Sequence, residues 1–379
     1  MGLSFRYLRV AKQALATKKL RLSYKREKWA ALSAPKKLQK IADTLHDQTA
    51  NQFRLLEEEL LDRLILHMGP PKTGSKAIQK GFGENREQFR SNGILYPSGR
   101  WHGQLSSWAQ SSNPDCTFNV WSKRKDPVAI KHSDDEYVQS LISELAESDC
   151  RIAILSYEGF SVLSAEELKR VRLLLAPFAK SIQPLIYLRH PVSWAKSQLS
   201  TRALHGLPLE NPEESLRKYS TIIKRIFRVF GKESLIAREF DRRTLYRGSV
   251  FLDAVSLCDQ ALAETFHDDD PNEGLVNSSI SLEAFQVALH LAGELSQQKS
   301  RIRKQKFEKF LQNFKGAPLI LTKEQIDAVS NKAASEIEFL IRELDFEFSP
   351  QLVLESRTHK EGLSPEQSKE IAEALKSVM

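Results

Sequence analysis

Residues 64–79, Leu-Ile-Leu-His-Met-Gly-Pro-Pro-Lys-Thr-Gly-Ser-Lys-Ala-Ile-Gln, constrain the fold of this chain more than any other stretch. An apolar run reads as a buried strand, Gly69 to Gly74 as a tight loop, and the residues from Ser75 onward as a helix. A strand that enters a helix through a glycine-rich loop is the corner from which parallel α/β sheets are built. It is also a ready anion cradle. Gly74 lets the backbone turn closely, so that successive N–H groups point inward, and the helix start adds its positive dipole end. Thr73 and Ser75 offer hydroxyl donors, and Lys72 offers a compact, mobile charge. The plainer reading is an ordinary strand-turn-helix corner that happens to hold a lysine.

The position of that lysine is informative. A nucleotide-binding loop of the form G-x-x-x-x-G-K-[ST] needs lysine directly after its second glycine; here Gly69 and Gly74 have the spacing, but Ser75 stands at the lysine site and Lys76 comes one residue late. Lys72 instead precedes Gly74 by two. A second segment lies more than a hundred residues on: Ile186-Tyr187-Leu188-Arg189-His190-Pro191, leading to Ser197. Its apolar run is strand-like, Pro191 suits the first turn of a helix, and Ser197 falls about two turns into it, so Arg189 and Ser197 can bracket one anion. Arginine suits phosphate because its planar fork donates two N–H groups at once.

Together, Pro71-Lys72-Thr73-Gly74-Ser75 and the Arg189/Ser197 pair resemble the donor site of sulfotransferases that use 3′-phosphoadenosine 5′-phosphosulfate (PAPS), in the bacterial carbohydrate-type branch. Gly93-Ile94-Leu95-Tyr96-Pro97 looks like the strand after the first helix. Leu235 to Asp241 looks like the late strand near the adenine, and Asn277-Ser278-Ser279 resembles the late loop that closes over the nucleotide. The resemblance covers roughly residues 62–290. It implies an α/β fold with a P-loop NTPase-like parallel sheet flanked by helices, and sulfuryl transfer to a hydroxyl of a carbohydrate or glycolipid. It also implies that Lys72, Thr73, Gly74, Ser75, Lys76 and Ala77 hold the 5′-phosphosulfate, that Arg189 and Ser197 hold the 3′-phosphate, and that Asn277 and Ser278 cover the nucleotide. Lys76 departs from the pattern, which has a second hydroxyl residue there. The base is expected at Glu158, at the end of the strand preceding the Arg189 strand, with His102 as the alternative because imidazole needs less pKa tuning. Lys72 is the expected catalytic cation. No metal is expected, since the sequence has no H-E-x-x-H or Cys/His signature. His67, within apolar surroundings, reads as a core histidine.

The net charge of +8 is unevenly spread: residues 1–40 carry twelve Lys/Arg against Glu27 alone, a local +11, so the remainder carries −3. Phe5, Tyr7, Leu8, Val10, Leu15 and Trp29 interleave with these cations, which reads either as an amphipathic helix on an anionic membrane face or as a solvated basic arm. The arm lacks a signal-peptide core, and Arg6 breaks the myristoylation pattern. Cys116, Cys150 and Cys258 form no pairing framework and, with no spanning apolar run, suggest reduced thiols in a cytoplasmic protein. No nucleic-acid partner is expected, and self-association stays open.

Three regions are expected: a basic arm and helical extension over 1–61, the α/β core over 62–275, and a mainly helical region over 276–379. Leu38 to Leu66 reads mostly as helix that docks on the core or on a second subunit. The core alternates strand 64–68, helix 75–90, strand 151–156, helix 164–176, strand 183–189, helix 191–204 and strand 234–239. Residues 98–136 read as a long polar loop whose Trp101, Trp108 and Trp121 serve either as sugar platforms or as anchors in the core. The basic run from Lys299 to Lys309 suits an acidic polymer or, more plainly, a solvated helix face. Two rival functions remain: a P-loop kinase or ATPase, for which Lys76 would be a displaced lysine, and a non-enzymatic scaffold at the membrane.

Overall fold

The computed structural model describes residues 60–99, 101–205, 207, 211–266, 280–297, 301–350 and 363–378. The apolar run after Asp62 forms β1 (Arg63–His67), in which Leu64, Ile65 and Leu66 are all fully buried. A strand buried on both faces belongs at the centre of a parallel sheet covered by helices. That is where β1 lies. The other strands are β2 (Ile94–Leu95), β3 (Ile152–Ser156), β4 (Ile182–Leu188) and β5 (Ile236–Glu239), and they pair in the order β2-β3-β1-β4-β5, all parallel. In register, Ile65 faces Ile154 of β3 and Gln183 of β4.

Two apolar layers cover the sheet. On one face, α1 (Ser75–Glu84) and α9 (Val250–Cys258) contribute Ile78, Phe82, Phe251 and Val255 to a cluster that includes Ile65 and Tyr187. On the other, α3 (Gly103–Ala109), α5 (Pro127–Glu147), α6 (Ala165–Leu175) and α8 (Tyr219–Phe230) contribute Leu105, Val138, Val171 and Ile223 around Leu64 and Leu66. Each such side chain removed from water is worth about 1.5–3 kcal/mol. α7 (Pro191–Leu204) starts on its proline and is capped by the His190 side chain, which accepts from the Val192 N–H. Beyond the sheet the described chain is mainly helical, with α10 (Gln260–Thr265), α11 (Leu282–Gln297), α12 (Arg301–Asn313), α13 (Lys323–Leu344) and α14 (Pro365–Val378). In α12 Phe307 and Leu311 are buried while Lys306 and Lys309 face solvent, the solvated-face pattern.

Several sequence expectations change. The helix expected over 75–90 breaks at Asn85, whose side chain donates to the Gly81 carbonyl, and resumes as α2 (Arg86–Ser91). The helix expected to reach Leu66 does not, because Leu61 already bridges Ala179 beside the sheet. The polar loop expected over 98–136 is mostly helix: it contains α3, α4 (Thr117–Trp121) and the first half of α5. Asp126 caps α5 by accepting from the Val128 N–H, with Pro127 at the first helical position, a start signal hidden in a polar stretch. The buried Asp134 fixes this segment, accepting from Ser107 Oγ at 2.6 Å and from Arg124 at 2.8 Å. Of its tryptophans, Trp108 packs on the core, Trp101 is half exposed and Trp121 is exposed. No helix among the described residues is long and apolar enough to cross a membrane. The basic arm, Asn277 and Ser278 lie outside the described residues.

Candidate functional site

The strand order decides which side chains can meet. Because β1 lies between β3 and β4, the loops leaving their carboxyl ends stand side by side: Glu158 after β3, residues 68–74 after β1, and Arg189 after β4. In open parallel sheets this end is where ligands bind.

The β1 loop has left-handed backbone at Gly69, Lys72 and Gly74, with φ of 81°, 71° and 79°. Lys72 is the informative one, since a non-glycine residue held there costs on the order of 1 kcal/mol and such strain clusters at functional sites. Gly74 is required twice over. Besides its φ, a Cβ there would stand 2.6 Å from Val250 Cγ1 and 2.9 Å from Phe240 Cε2. Gly69 lies equally close to Glu158, whose Cβ would be 2.8 Å from an added Cβ. Thr73 is buried and donates its hydroxyl to the Pro70 carbonyl at 2.6 Å, so in this state it braces the loop.

Gly74 is also the cap of α1, with no side chain bonding the helix's first turn and no acidic residue within it. Ser75 begins that helix. Its Oγ is buried and has no hydrogen-bond partner, a state that costs a hydroxyl about 1–3 kcal/mol unless something fills it. Lys76 points into solvent, and Ala77 is buried in the apolar cluster with its N–H bonded to the Gly74 carbonyl.

Arg189 reaches across to this loop: Nη1 donates to the Lys72 carbonyl at 2.9 Å, and the guanidinium lies 5.4 Å from the Phe240 ring centroid. Phe240 therefore touches both halves of the site. The backbone of Arg189 is clamped by buried Tyr219, whose hydroxyl accepts from the Arg189 N–H at 3.2 Å and donates to its carbonyl at 2.8 Å. Burial pulls the Arg189 pKa down to about 10. Lys72 is also held below the ordinary lysine value, first by burial, then by the like charges of Lys76 and Arg189, against an opposing pull from Glu158. Lys196, one residue before Ser197 on α7, is lowered by burial and by Arg189. Among the described residues, none of Lys72, Arg189 and Lys196 forms an ion pair. Three cations thus converge with little to balance them, which is costly unless an anion binds.

Glu158 opens a 3₁₀ turn (Glu158–Val162) just after β3 and accepts from buried Gln79 of α1 at 3.0 Å. Ser197 is half-buried on α7. His102, fully buried just before α3, accepts the Ser156 N–H on Nδ1 at 2.9 Å at the end of β3, and burial lowers its pKa to about 4. His67, bonded through Nδ1 to Ser156 Oγ at 2.7 Å, is depressed to about 3 by burial. It is the core histidine that its apolar run suggests.

Lys196, Tyr219, Gln79 and Phe240 were not assigned roles from sequence. For Lys196 a signal exists, since it neighbours Ser197 on a helix whose first turn abuts Arg189. Tyr219 carries none, being thirty residues away along the chain from the backbone it clamps. Neither a protein-family model nor a curated protein matches this chain.

Proposed function

We propose that this protein is a sulfotransferase that takes a sulfuryl group from PAPS and transfers it to a hydroxyl of a carbohydrate or glycolipid acceptor. The observation that carries the reading is the orphaned Ser75 hydroxyl at an open helix start, beside the converging Lys72, Arg189 and Lys196. That combination suits a ligand with two separated anionic groups, as the donor has. Lys72, Ser75 and the first turn of α1 hold its 5′ end, and Arg189, Lys196 and Ser197 its 3′-phosphate.

The donor supplies a sulfuryl group on a phosphate leaving group, so the acceptor oxygen forms its bond to sulfur as the bond from sulfur to the phosphate oxygen breaks. The residues of this chain do the remaining work by positioning and charge, as in phosphoryl transfer. Lys72 and the Ser75 hydroxyl meet the charge that develops on the departing oxygen. Glu158, held by Gln79 beside Gly69, receives the acceptor's proton. His102 is a poorer base, because its Nδ1 is committed to the Ser156 N–H. Free, buried Cys116, Cys150 and Cys258 agree with a cytoplasmic site of action. The basic arm is then a means of reaching an anionic membrane face where a glycolipid acceptor resides.

Titration calorimetry with 3′,5′-ADP, and with ATP and magnesium, tests the donor site. Binding of 3′,5′-ADP in preference to ATP, lost in Lys72→Ala and in Arg189→Gln, is expected. A preference for ATP with magnesium would favour a kinase, binding of neither would favour a scaffold, and undiminished binding in either variant would overturn the residue assignments. Labelled PAPS offered with a panel of glycans then identifies the acceptor.

A further inference from the structure

A second cleft lies at the same end of the sheet. The turn that leaves β2 at Pro97–Gly99, the start of α3 and the exposed side of α5 enclose about 470 Å³, within the size of small-ligand sites. β2 is two strands from β1, roughly 10 Å at ordinary strand spacing. Arg86 fixes the turn, donating to the carbonyls of Tyr96, Pro97 and Gly99 at 2.9, 3.2 and 2.7 Å. The Ser98 N–H donates to Glu144 of α5 at 2.8 Å, tying the turn to that helix.

Its lining combines a flat aromatic surface with short polar groups. Trp101 is 41% exposed and is steadied by Phe118, with ring centroids 6.5 Å apart and planes at 80°. Gln104 donates to Ser133 Oγ at 3.0 Å, and the Glu136 carboxylate is exposed. Tyr137 is one of the lining residues, and its hydroxyl, just beneath the surface, is buried without any hydrogen-bond partner. A polar atom shut away from water and left unpaired points to a ligand group that pairs with it. Among the described lining residues the charged ones are Glu136 and Glu144, both acidic.

We infer that this cleft binds an uncharged pyranose ring. The apolar face of the ring stacks on Trp101, and its hydroxyls reach Tyr137 Oη and the Glu136 carboxylate. A sugar is the chemistry that presents both a flat C–H face and a rim of hydroxyls, whereas a uronate would meet two carboxylates. That the bound sugar belongs to the sulfuryl acceptor rests on the function proposed above; that a sugar binds here does not.

Saturation-transfer NMR on the full chain, without nucleotide, separates the two. The probes are cellotetraose, tetra-N-acetylchitotetraose and a uronate oligomer such as tetragalacturonate. Transfer to at least one of the neutral oligosaccharides is expected, with little to the uronate. Trp101→Ala should abolish it, and Tyr137→Phe should weaken binding by about fivefold, the worth of one hydrogen bond, while leaving the free protein as stable as before. No transfer to either neutral probe, equal or stronger transfer to the uronate, or full transfer in Trp101→Ala would overturn the inference. 3′,5′-ADP binding measured on the same samples reports on the donor site independently, so a failed donor site and a failed sugar cleft give different results.

Discussion

Ser75→Ala is the perturbation whose sign depends most sharply on what the β1 loop is for. In the free protein the Ser75 hydroxyl is buried at the start of α1 with no partner. Replacing it by alanine removes an unsatisfied polar atom and keeps a good helix former, so stability should hold or rise by up to ~1 kcal/mol. For a large domain that is a shift in Tm of up to about 2–4 °C, upward. On the function proposed above, the same hydroxyl makes a hydrogen bond to a charged group of the bound donor, worth roughly 1.5–3 kcal/mol, or about a 10- to 150-fold change in Kd. The variant is therefore expected to be at least as stable as the parent when free and to bind 3′,5′-ADP or PAPS at least tenfold more weakly. Thermal melts with and without ligand, together with calorimetry, measure both quantities on one sample. A loss of stability with unchanged affinity would refute the reasoning, since it would mean that the hydroxyl supports the fold and faces no anion.

Gly74→Ala should behave in the opposite way in the free protein: it forces alanine to a φ of 79° and sets its Cβ against Val250 and Phe240, so a loss of about 1–3 kcal/mol in urea unfolding is expected, and an unaltered midpoint would contradict the packing described. Lys196→Ala should weaken 3′,5′-ADP binding by about tenfold but 5′-AMP binding far less, because Lys196 lies near Arg189, to which the proposed function gives the 3′-phosphate; solvent-facing Lys76→Ala should cost less than about threefold. Equal effects of the two lysines on both nucleotides would dismiss this division. His67 and His102 set an acid limit on stability. Both are lowered by burial, to about 3 and about 4, so the unfolded chain binds more protons than the folded one below pH ~6.5. Their contribution is complete above that pH and is lost as pH falls toward the folded values, on the order of 3 kcal/mol per histidine by pH ~4. Urea midpoints measured from pH 7 to pH 4 should fall accordingly, and a flat profile would show that these rings are not held neutral.

What the sequence determined by itself was local. The apolar run of β1 needs burial on both faces, Gly74 needs a left-handed backbone that other residues resist, and Pro191 belongs in the first turn of a helix; each requirement is met within a few residues and leaves its mark there. That was enough to mark the loop around Lys72 and the Arg189 corner as parts of an α/β sheet. The polar stretch from residue 98 hid its helices because α3 and α5 are held by Asp134, Arg124 and buried serines as well as by an apolar stripe, which blurs the helical period. Only the tertiary structure decided that β1 stands between β3 and β4, bringing Glu158, Lys72 and Arg189 together at the carboxyl end of the sheet. It alone decided that Phe240, just after β5, packs near both Gly74 and Arg189, and that Tyr219 clamps the arginine's backbone. The same holds for Ser75: its type is plain in the sequence, but whether its hydroxyl is paired depends on every group folded around it. Strand order and pairing are settled by contacts between residues distant along the chain, and such contacts impose no spacing that the chain itself displays.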